Sequence, residues 1–142
     1  MRLSLTAAAA AALLAVAEAR ITGISVPSTI KPGDTFDVII ESSNYIQTVY
    51  DVAIAVGYTA GEGYPGTLTN VADSFYLGPD ESNQLEPFNK TITIPASVAK
   101  GKGLVSASLF SLYGASKGAT LSNYNVTVTF GDETSKKYST SL

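Results

Sequence analysis

The stretch YDVAIAVGY at residues 50–58 decides the fold class, because large apolar residues recur at every second position along it. Its apolar phase consists of Tyr50, Val52, Ile54, Val56 and Tyr58. The opposite phase consists of Asp51, Ala53 and Ala55. A period of two is that of a β-strand, whose successive side chains point to opposite faces of a sheet. The stretch therefore predicts a central strand.

Three further runs alternate in the same way: TFDVIIES at residues 35–42, FNKTITI at 88–94 and NYNVTVTF at 123–130. Their predicted inward residues are Phe36, Val38, Ile40, Phe88, Ile92, Ile94, Tyr124, Val126, Val128 and Phe130. Weaker strand patterns lie at residues 21–26, 71–77 and 104–113, and the last of these is apolar on both phases. Turn-forming segments such as KPGD and GKG separate the runs. About seven short strands predict an all-β fold, a single immunoglobulin-like or fibronectin-type β-sandwich.

The first residues have the features of a secretory signal peptide. Arg2 gives a positive start, residues 3–16 form an apolar run too short to span a bilayer, and AEA at residues 17–19 has the small-any-small pattern of a cleavage site. We therefore expect cleavage between Ala19 and Arg20.

The chain is accordingly divided into a signal peptide at residues 1–19, a sandwich domain at 20–131 and a polar, flexible C-terminal tail at 132–142. After residue 20 there is no apolar run of the length that a membrane helix needs. We expect a secreted, extracellular monomer without membrane insertion, and we leave open whether it passes into a host cell.

The composition excludes most catalytic chemistry. The chain has no cysteine and no histidine, which removes thiol catalysis, Ser-His-Asp triads and the usual zinc sites. A pair of carboxylates acting on a glycosidic bond would still be available, although a small sandwich rarely has residues to spare for the required cleft. We expect no enzymatic activity, no cofactor and no metal.

Charge is distributed unevenly along the chain, whose net charge is −3. Residues 32–87 contain nine acids and no Lys or Arg, whereas lysines dominate after residue 87. An acidic protein repels phosphate, so nucleic acid is not an expected partner. The acidic half would suit a basic partner surface, unless strands from the two halves interleave and mix the charges.

Two N-x-[ST] sequons, at Asn89 and Asn125, predict N-glycosylation in a secreted protein. Both asparagines fall on the outward phase of their predicted strands, where a glycan would not disturb the core.

The two longest irregular segments, at residues 59–67 and 78–86, carry acids, with tyrosines in them or next to them. Loops on a rigid sandwich often carry recognition, and tyrosine is a frequent anchor at interfaces. The residues that we single out for partner binding are Glu62, Tyr64, Tyr76, Asp80 and Glu81. The alternative interpretation is that the tyrosines cap the ends of the core.

Several longer runs, among them SFYLGP at residues 74–79 and LSNYNVTV at 121–128, resemble the necrosis-inducing secreted protein family of plant-associated fungi. The resemblance extends over nearly all of the chain after the signal peptide. It implies a secreted effector, without enzymatic activity, that binds and inhibits plant receptor-associated kinases, suppresses immune signalling and triggers host cell death. It supplies no motif for the contact surface. The alternative from a different class is a carbohydrate-binding or cell-wall module, with Tyr64 or Tyr76 as a stacking platform, although sugar platforms most often use tryptophan and the chain has none.

Overall fold

The structure, a computed structural model, describes residues 18–141, which form two β-sheets packed face to face. The strands in this part of the chain are β1 (Glu18–Pro27), β2 (Thr29–Ile30), β3 (Thr35–Tyr45), β4 (Val49–Ala60), β5 (Asn70–Tyr76), β6 (Phe88–Thr93), β7 (Gly101–Tyr113), β8 (Gly118–Phe130) and β9 (Tyr138–Thr140). A four-residue helix, α1 (Gly78–Glu81), follows β5. The predicted all-β sandwich is confirmed.

The four-stranded sheet has the strand order β6-β3-β1-β9, and the five-stranded sheet has the order β2-β8-β7-β4-β5. Neighbouring strands are antiparallel, except that β2 runs parallel to β8, with Ile30 beside Phe130. The long strands β7 and β8 pair along their whole length. The five-stranded sheet is therefore the more extensive of the two.

Apolar side chains from the inner faces of both sheets make one core. Its completely enclosed members include Ile24, Val26, Ile30, Val38, Ile40, Val56, Ile94 and Val105. The inward residues predicted on β3 and β8 are confirmed, because Phe36, Val38, Ile40, Val126, Val128 and Phe130 are all buried. Period-two patterning thus identified the strands that supply most of the core.

The predicted phase of the stretch at residues 50–58 is wrong in its first half. A β-bulge between Asp51 and Ala53 adds one residue to β4 and reverses the faces that precede it. Asp51 consequently points into the core and is 1% exposed, while Tyr50 points outward. Beyond the bulge, Ile54 and Val56 are buried as predicted.

The predicted flexible tail at residues 132–142 is also corrected. β9 pairs with β1 as the edge of the four-stranded sheet. The Ser141 hydroxyl accepts a hydrogen bond from the Ile24 backbone N–H at 2.9 Å, and the Ser141 N–H donates to the Ile24 carbonyl at 2.8 Å. Polar residues suggested disorder, yet short hydroxyl side chains suit an exposed edge strand.

Candidate functional site

The outer face of the five-stranded sheet carries a row of large apolar side chains. In the strand register, Leu121 lies beside Phe110, Phe110 beside Ala53, and Ala53 beside Tyr76. Adjacent strands are about 4.8 Å apart, so this row extends about 14 Å across four strands. Leu121 is 73% exposed and Tyr76 is 68% exposed. Ala53, between the large side chains, keeps the centre of the row flat.

Tyr50 and Leu112, which are register partners, form a second row next to the first. The hydroxyls of Tyr50 and Tyr76 are hydrogen-bonded at 3.1 Å, and this bond is the largest cause of a raised pKa of Tyr50. A mostly apolar hollow of about 280 Å³ adjoins Tyr50 and Leu112 and extends to Lys117. We call Tyr50, Tyr76, Phe110, Leu112 and Leu121 the apolar patch.

The sequence contains a signal for this patch that the predicted partner-binding residues do not include. Residues 104–113 are apolar on both phases, which is compatible with a strand covered on both faces. In the structure the inner phase is buried, including Val105 and Leu109, while Phe110 on the outer phase is 37% exposed. Leu121 likewise interrupts an otherwise polar outer phase of β8. Apolar residues at outward positions of two neighbouring strands were the available clue.

The loop at residues 61–69 folds back over the other end of the same outer face. Gly57 makes this possible, because a Cβ there would lie 2.5 Å from the Asn70 carbonyl oxygen and 2.7 Å from Leu68 Cβ. The loop thus approaches β4 at a point where only hydrogen fits. It covers Ser106, which is 8% exposed although it points outward.

Between this loop and the sheet lie two adjoining hollows of about 110 and 200 Å³. Residues that line both are Tyr64, Pro65, Thr67, Ser106 and Asn125, and Ser108 and Asn123 line the smaller one. We call this pair the polar hollow. Hydroxyls and amides on the sheet therefore face a tyrosine that is 76% exposed on the loop.

The five residues predicted to bind a partner do not form one site. Tyr76 belongs to the apolar patch, and the α1 acids Asp80 and Glu81 follow it at the same end of β5. Glu62 and Tyr64 belong to the loop at its other end. The register places Tyr76 opposite Ala53, seven residues from the end of β4, which is about 23 Å of strand. Aromatic and acidic groups occur in both segments, but β5 holds those segments apart.

The predicted separation of charge along the chain is reduced by pairing in the fold. Glu81 forms a half-buried ion pair with Lys90 at 2.7 Å, and Glu62 an exposed one with Lys102 at 3.2 Å. Strands from the acidic segment lie beside strands from the lysine-bearing segment, β3 beside β6 and β4 beside β7. The interleaving alternative accounts for these two pairs.

Asp51 is the buried carboxylate of the described residues. The Ser111 hydroxyl donates a hydrogen bond to its Oδ1 at 2.7 Å. Burial raises the pKa of Asp51, and the Ser111 hydrogen bond partly opposes that shift. The Ser82 hydroxyl accepts a bond from the Asp51 backbone N–H at 3.0 Å, which ties the segment after α1 to the β4 bulge. A carboxylate enclosed in this way joins β4 to β7 through Ser111 and is shielded from solvent.

The sequence-predicted modification sites lie on both sheets. Asn89 on β6 and Asn125 on β8 are exposed, in agreement with their predicted phases, and their glycosylation stays a prediction. Ala19 and Arg20, which flank the predicted cleavage point, are both part of β1.

Residues 18–141 contain no group of three or more Asp or Glu side chains placed to hold a metal ion. Over the same span, no helix has the length and apolar character needed to cross a membrane.

This architecture defines a class: a small β-sandwich with an uncovered apolar patch on the outer face of its five-stranded sheet. The chain belongs to the Nis1 family, whose profile matches residues 17–129. It is 54% identical to "Necrosis-inducing secreted protein 1" of Colletotrichum higginsianum (strain IMI 349063), over 97% of this chain and 96% of that protein. It is 52% identical to the protein of the same name from Colletotrichum orbiculare (strain 104-T), over 92% of this chain and 82% of that protein. The resemblance seen in the sequence is thereby confirmed, and these relatives are named for necrosis and secretion, not for an enzymatic activity.

Among solved structures, one described as "X-Ray photoreduction of Polysaccharide monooxygenase CBM33" is similar at a TM-score of 0.48 and 16% identity. The match covers 74% of this chain, which spans 60% of the length of that structure. Similarity at this level carries no information about activity.

Proposed function

We propose that this protein is a secreted effector that induces necrosis in plant tissue and acts by binding a host protein through the apolar patch. Secretion and necrosis are supported by the names of two relatives that share more than half of its residues. The chain's own leader pattern also supports export.

The observation that carries the proposed mode of action is the exposure of the apolar patch. An apolar area left uncovered on one sheet face costs free energy in water and is typical of an interaction site. Aromatic side chains such as Tyr76 and Phe110 contribute strongly when a partner excludes water from them. Tyr76 on β5 and Phe110 on β7 project from strands that flank β4 in one sheet, so binding them requires little ordering of the protein.

The proposed partner class is the plant receptor-associated kinases, with inhibition of the kinase and suppression of immune signalling as the result. Support for this finer statement comes from the sequence resemblance alone. Asp80, beside the patch, supplies negative charge that would suit a basic rim on the partner.

The test is a titration of the purified secreted protein against kinase domains of receptor-associated kinases, with binding and phosphorylation followed together. Saturable binding with inhibition is expected, and leaf infiltration of the same protein should cause necrosis. Neither binding nor inhibition across a representative set of these kinases would contradict the proposed partner class.

Two matched variants locate the contact. Leu121→Ser changes the patch, whereas Val71→Ser changes a similarly exposed apolar residue of β5 that pairs with Gly57, beyond the patch. We expect Leu121→Ser alone to weaken binding and necrosis. Equal effects of the two would show that the patch is not the contact.

A second candidate function, carbohydrate binding, is favoured by the exposed Tyr64 ring beside the hydroxyls and amides of the polar hollow. Retention of the protein on chitin, glucan or cellulose, and its loss in Tyr64→Ala, would support this function.

A further inference from the structure

Two overlapping small-any-small patterns precede the sandwich, AVA at residues 15–17 and AEA at residues 17–19. Both satisfy the small-any-small rule, so that rule also permits a cut before Glu18, besides the cut before Arg20 predicted above. The structure of β1 distinguishes them.

Ala19 is an integral part of the fold. Its side chain is 0% exposed, and its backbone N–H donates a 2.7 Å hydrogen bond to Oδ1 of Asn83, which lies beyond α1. Glu18 and Ala19 also continue the β1–β3 ladder, opposite Tyr45 and Asn44. Three residues, Asn44, Tyr45 and Asn83, therefore pair with or bond to the two residues that a cut before Arg20 would remove.

A cut before Arg20 would have two further consequences. The new α-ammonium group would lie at a strand position paired with Ser43, and the Asn83 carbonyl would lose its backbone donor. The first change places a charge in the β1–β3 ladder, and the second removes a hydrogen bond from a partly buried group; both are destabilising. We propose that the leader is removed after Ala17, so that the secreted protein begins at Glu18, two residues earlier than the AEA pattern indicates.

The direct test is secretion from a eukaryotic host with the protein's own leader, followed by N-terminal sequencing and intact mass after glycan removal. A start at Glu18 is expected, and a start at Arg20 would overturn the proposal.

The structural reason is tested separately with two versions prepared to begin at Glu18 or at Arg20. The Arg20 version should unfold roughly 5 °C lower. Asn83→Ala should lower the Tm of the Glu18 version and leave that of the Arg20 version nearly unchanged. Equal Tm values for the two versions would show that Glu18 and Ala19 do not stabilise the fold.

A second inference comes from a different observation, the position of Asn125 in the wall of the polar hollow. The Asn125 side chain opens into the same space as the ring of Tyr64 and the side chains of Ser106 and Ser108. A sugar attached at its amide nitrogen begins inside that space. We infer that the polar hollow is the seat of the first sugar of an Asn125-linked glycan, which packs its apolar face against Tyr64.

The chemistry of the lining suits a pyranose ring. One aromatic side chain can contact the C–H face of a sugar, while hydroxyls and amides on the opposite wall can bond to its polar edge. The same chemistry would also serve a free sugar, so the experiment must distinguish an intramolecular glycan from an added one. Asn89, the other sequon, lies on β6 in the other sheet and provides a matched control.

The experiment is a double-mutant cycle on protein secreted by a eukaryotic host. Tyr64→Ala is expected to lower the Tm by roughly 3 °C in the glycosylated protein and by less than about 1 °C in the Asn125→Gln background. In the Asn89→Gln background the effect of Tyr64→Ala should remain complete. Trimming the glycans to a single sugar with endoglycosidase H should preserve the Tyr64 effect, because the first sugar makes the contact.

Three results would overturn this inference: an unmodified Asn125 in the secreted protein, additive effects of Tyr64→Ala and Asn125→Gln, or binding of chitin oligomers at Tyr64 while the Asn125 glycan is present. Because Tyr64 is 76% exposed, Tyr64→Ala should fold normally. The outcome does not depend on the identity of any host target.

Discussion

On the four-stranded sheet the outward side chains are mostly hydroxyls and carboxylates that bond to one another, whereas the five-stranded sheet turns large apolar side chains outward. Ser25 donates to Glu41 at 2.7 Å, and Thr91 donates to Asp37 at 2.9 Å. Phe110 and the rest of the apolar patch are exposed to solvent instead.

The two faces differ in what remains for a partner to satisfy. The polar groups of one face are already hydrogen-bonded within the protein, whereas the apolar side chains of the other remain exposed to solvent. A hydrogen-bonded polar face gains little from a partner, because contact would break bonds that are already made. An exposed apolar face gains free energy whenever another surface removes it from water. The outer face of the five-stranded sheet is thus the side on which binding is expected.

The largest expected effect concerns binding. Phe110→Asp places a charge at the centre of the patch and should weaken binding to the proposed partner about thirty-fold or more, equivalent to about 2 kcal/mol. Thr93→Asp places the same charge on the outer face of the four-stranded sheet and should change affinity less than about two-fold. Calorimetric titration gives both values, with circular dichroism to verify folding, and similar losses for the two would remove the distinction between the faces.

The second prediction concerns the stability of the polar face. Ser25→Ala removes a buried hydroxyl that bonds to Glu41 and Thr140, and should lower the free energy of unfolding by about 1–2 kcal/mol. Ser108→Ala, on the outer face of the five-stranded sheet, should lie within about 0.5 kcal/mol of the parent protein. Urea titrations measure both, and a larger cost for Ser108→Ala would reverse the comparison.

The third prediction concerns carboxylates. Those of the four-stranded sheet, such as Asp37 and Glu41, lie on its outer face, whereas Asp51 of the five-stranded sheet is buried in the core. Because burial raises the folded pKa of Asp51 above its ordinary value of 3.8, the folded state holds this proton more strongly than the unfolded state. Its contribution to stability is therefore lost as pH rises from 3.8 through the raised folded pKa. Asp51→Asn removes the titrating group. The free energy of unfolding of this variant should therefore not fall between acid and neutral pH, and at neutral pH it should exceed that of the parent protein.

Urea unfolding measured from acid to neutral pH tests this sign. Ser111→Ala offers a control of opposite direction, since the Ser111 hydrogen bond lowers the pKa of Asp51 and its removal should raise that pKa further. If Asp51→Asn showed the same pH dependence as the parent protein, titration of Asp51 would not be its cause.

The smallest expected effects concern ion pairs. The Lys102–Glu62 pair, at the loop end of the five-stranded sheet, is more than half exposed on both sides, so Lys102→Met should change stability by less than about 0.5 kcal/mol. The Lys90–Glu81 pair is largely shielded, and Lys90 also lies 5.3 Å from the centre of the Phe75 ring. Lys90→Met should therefore cost about 1 kcal/mol. Thermal unfolding in low and high salt measures both, and equal values would show that shielding is unimportant here.

The sequence predicted the sandwich because strict alternation at residues 35–42 and 123–130 leaves one apolar face to bury. It did not predict the β4 bulge, since an inserted residue changes phase without changing composition. Asp51 was consequently assigned to the wrong face. β9 was missed for a different reason: an edge strand of hydroxyl-bearing residues has no apolar phase to detect.

The candidate site was predictable only in part. Tyr76 was identified from its irregular, acidic surroundings, and the structure places it in the apolar patch. Phe110 and Leu121 were not identified, because their exposure depends on which strands pair and on how far the loop at residues 61–69 reaches. Local patterns do not contain that information.

The pairing of β9 with β1 has a consequence for export. β1 is synthesised first among the described strands and β9 last, and the Ser25 and Thr140 hydroxyls that join them are 115 residues apart. Contacts over such separations form slowly compared with local ones. The four-stranded sheet therefore lacks its edge strand β9 until the rest of the described sandwich has been synthesised, which leaves the exported chain incompletely folded during translocation.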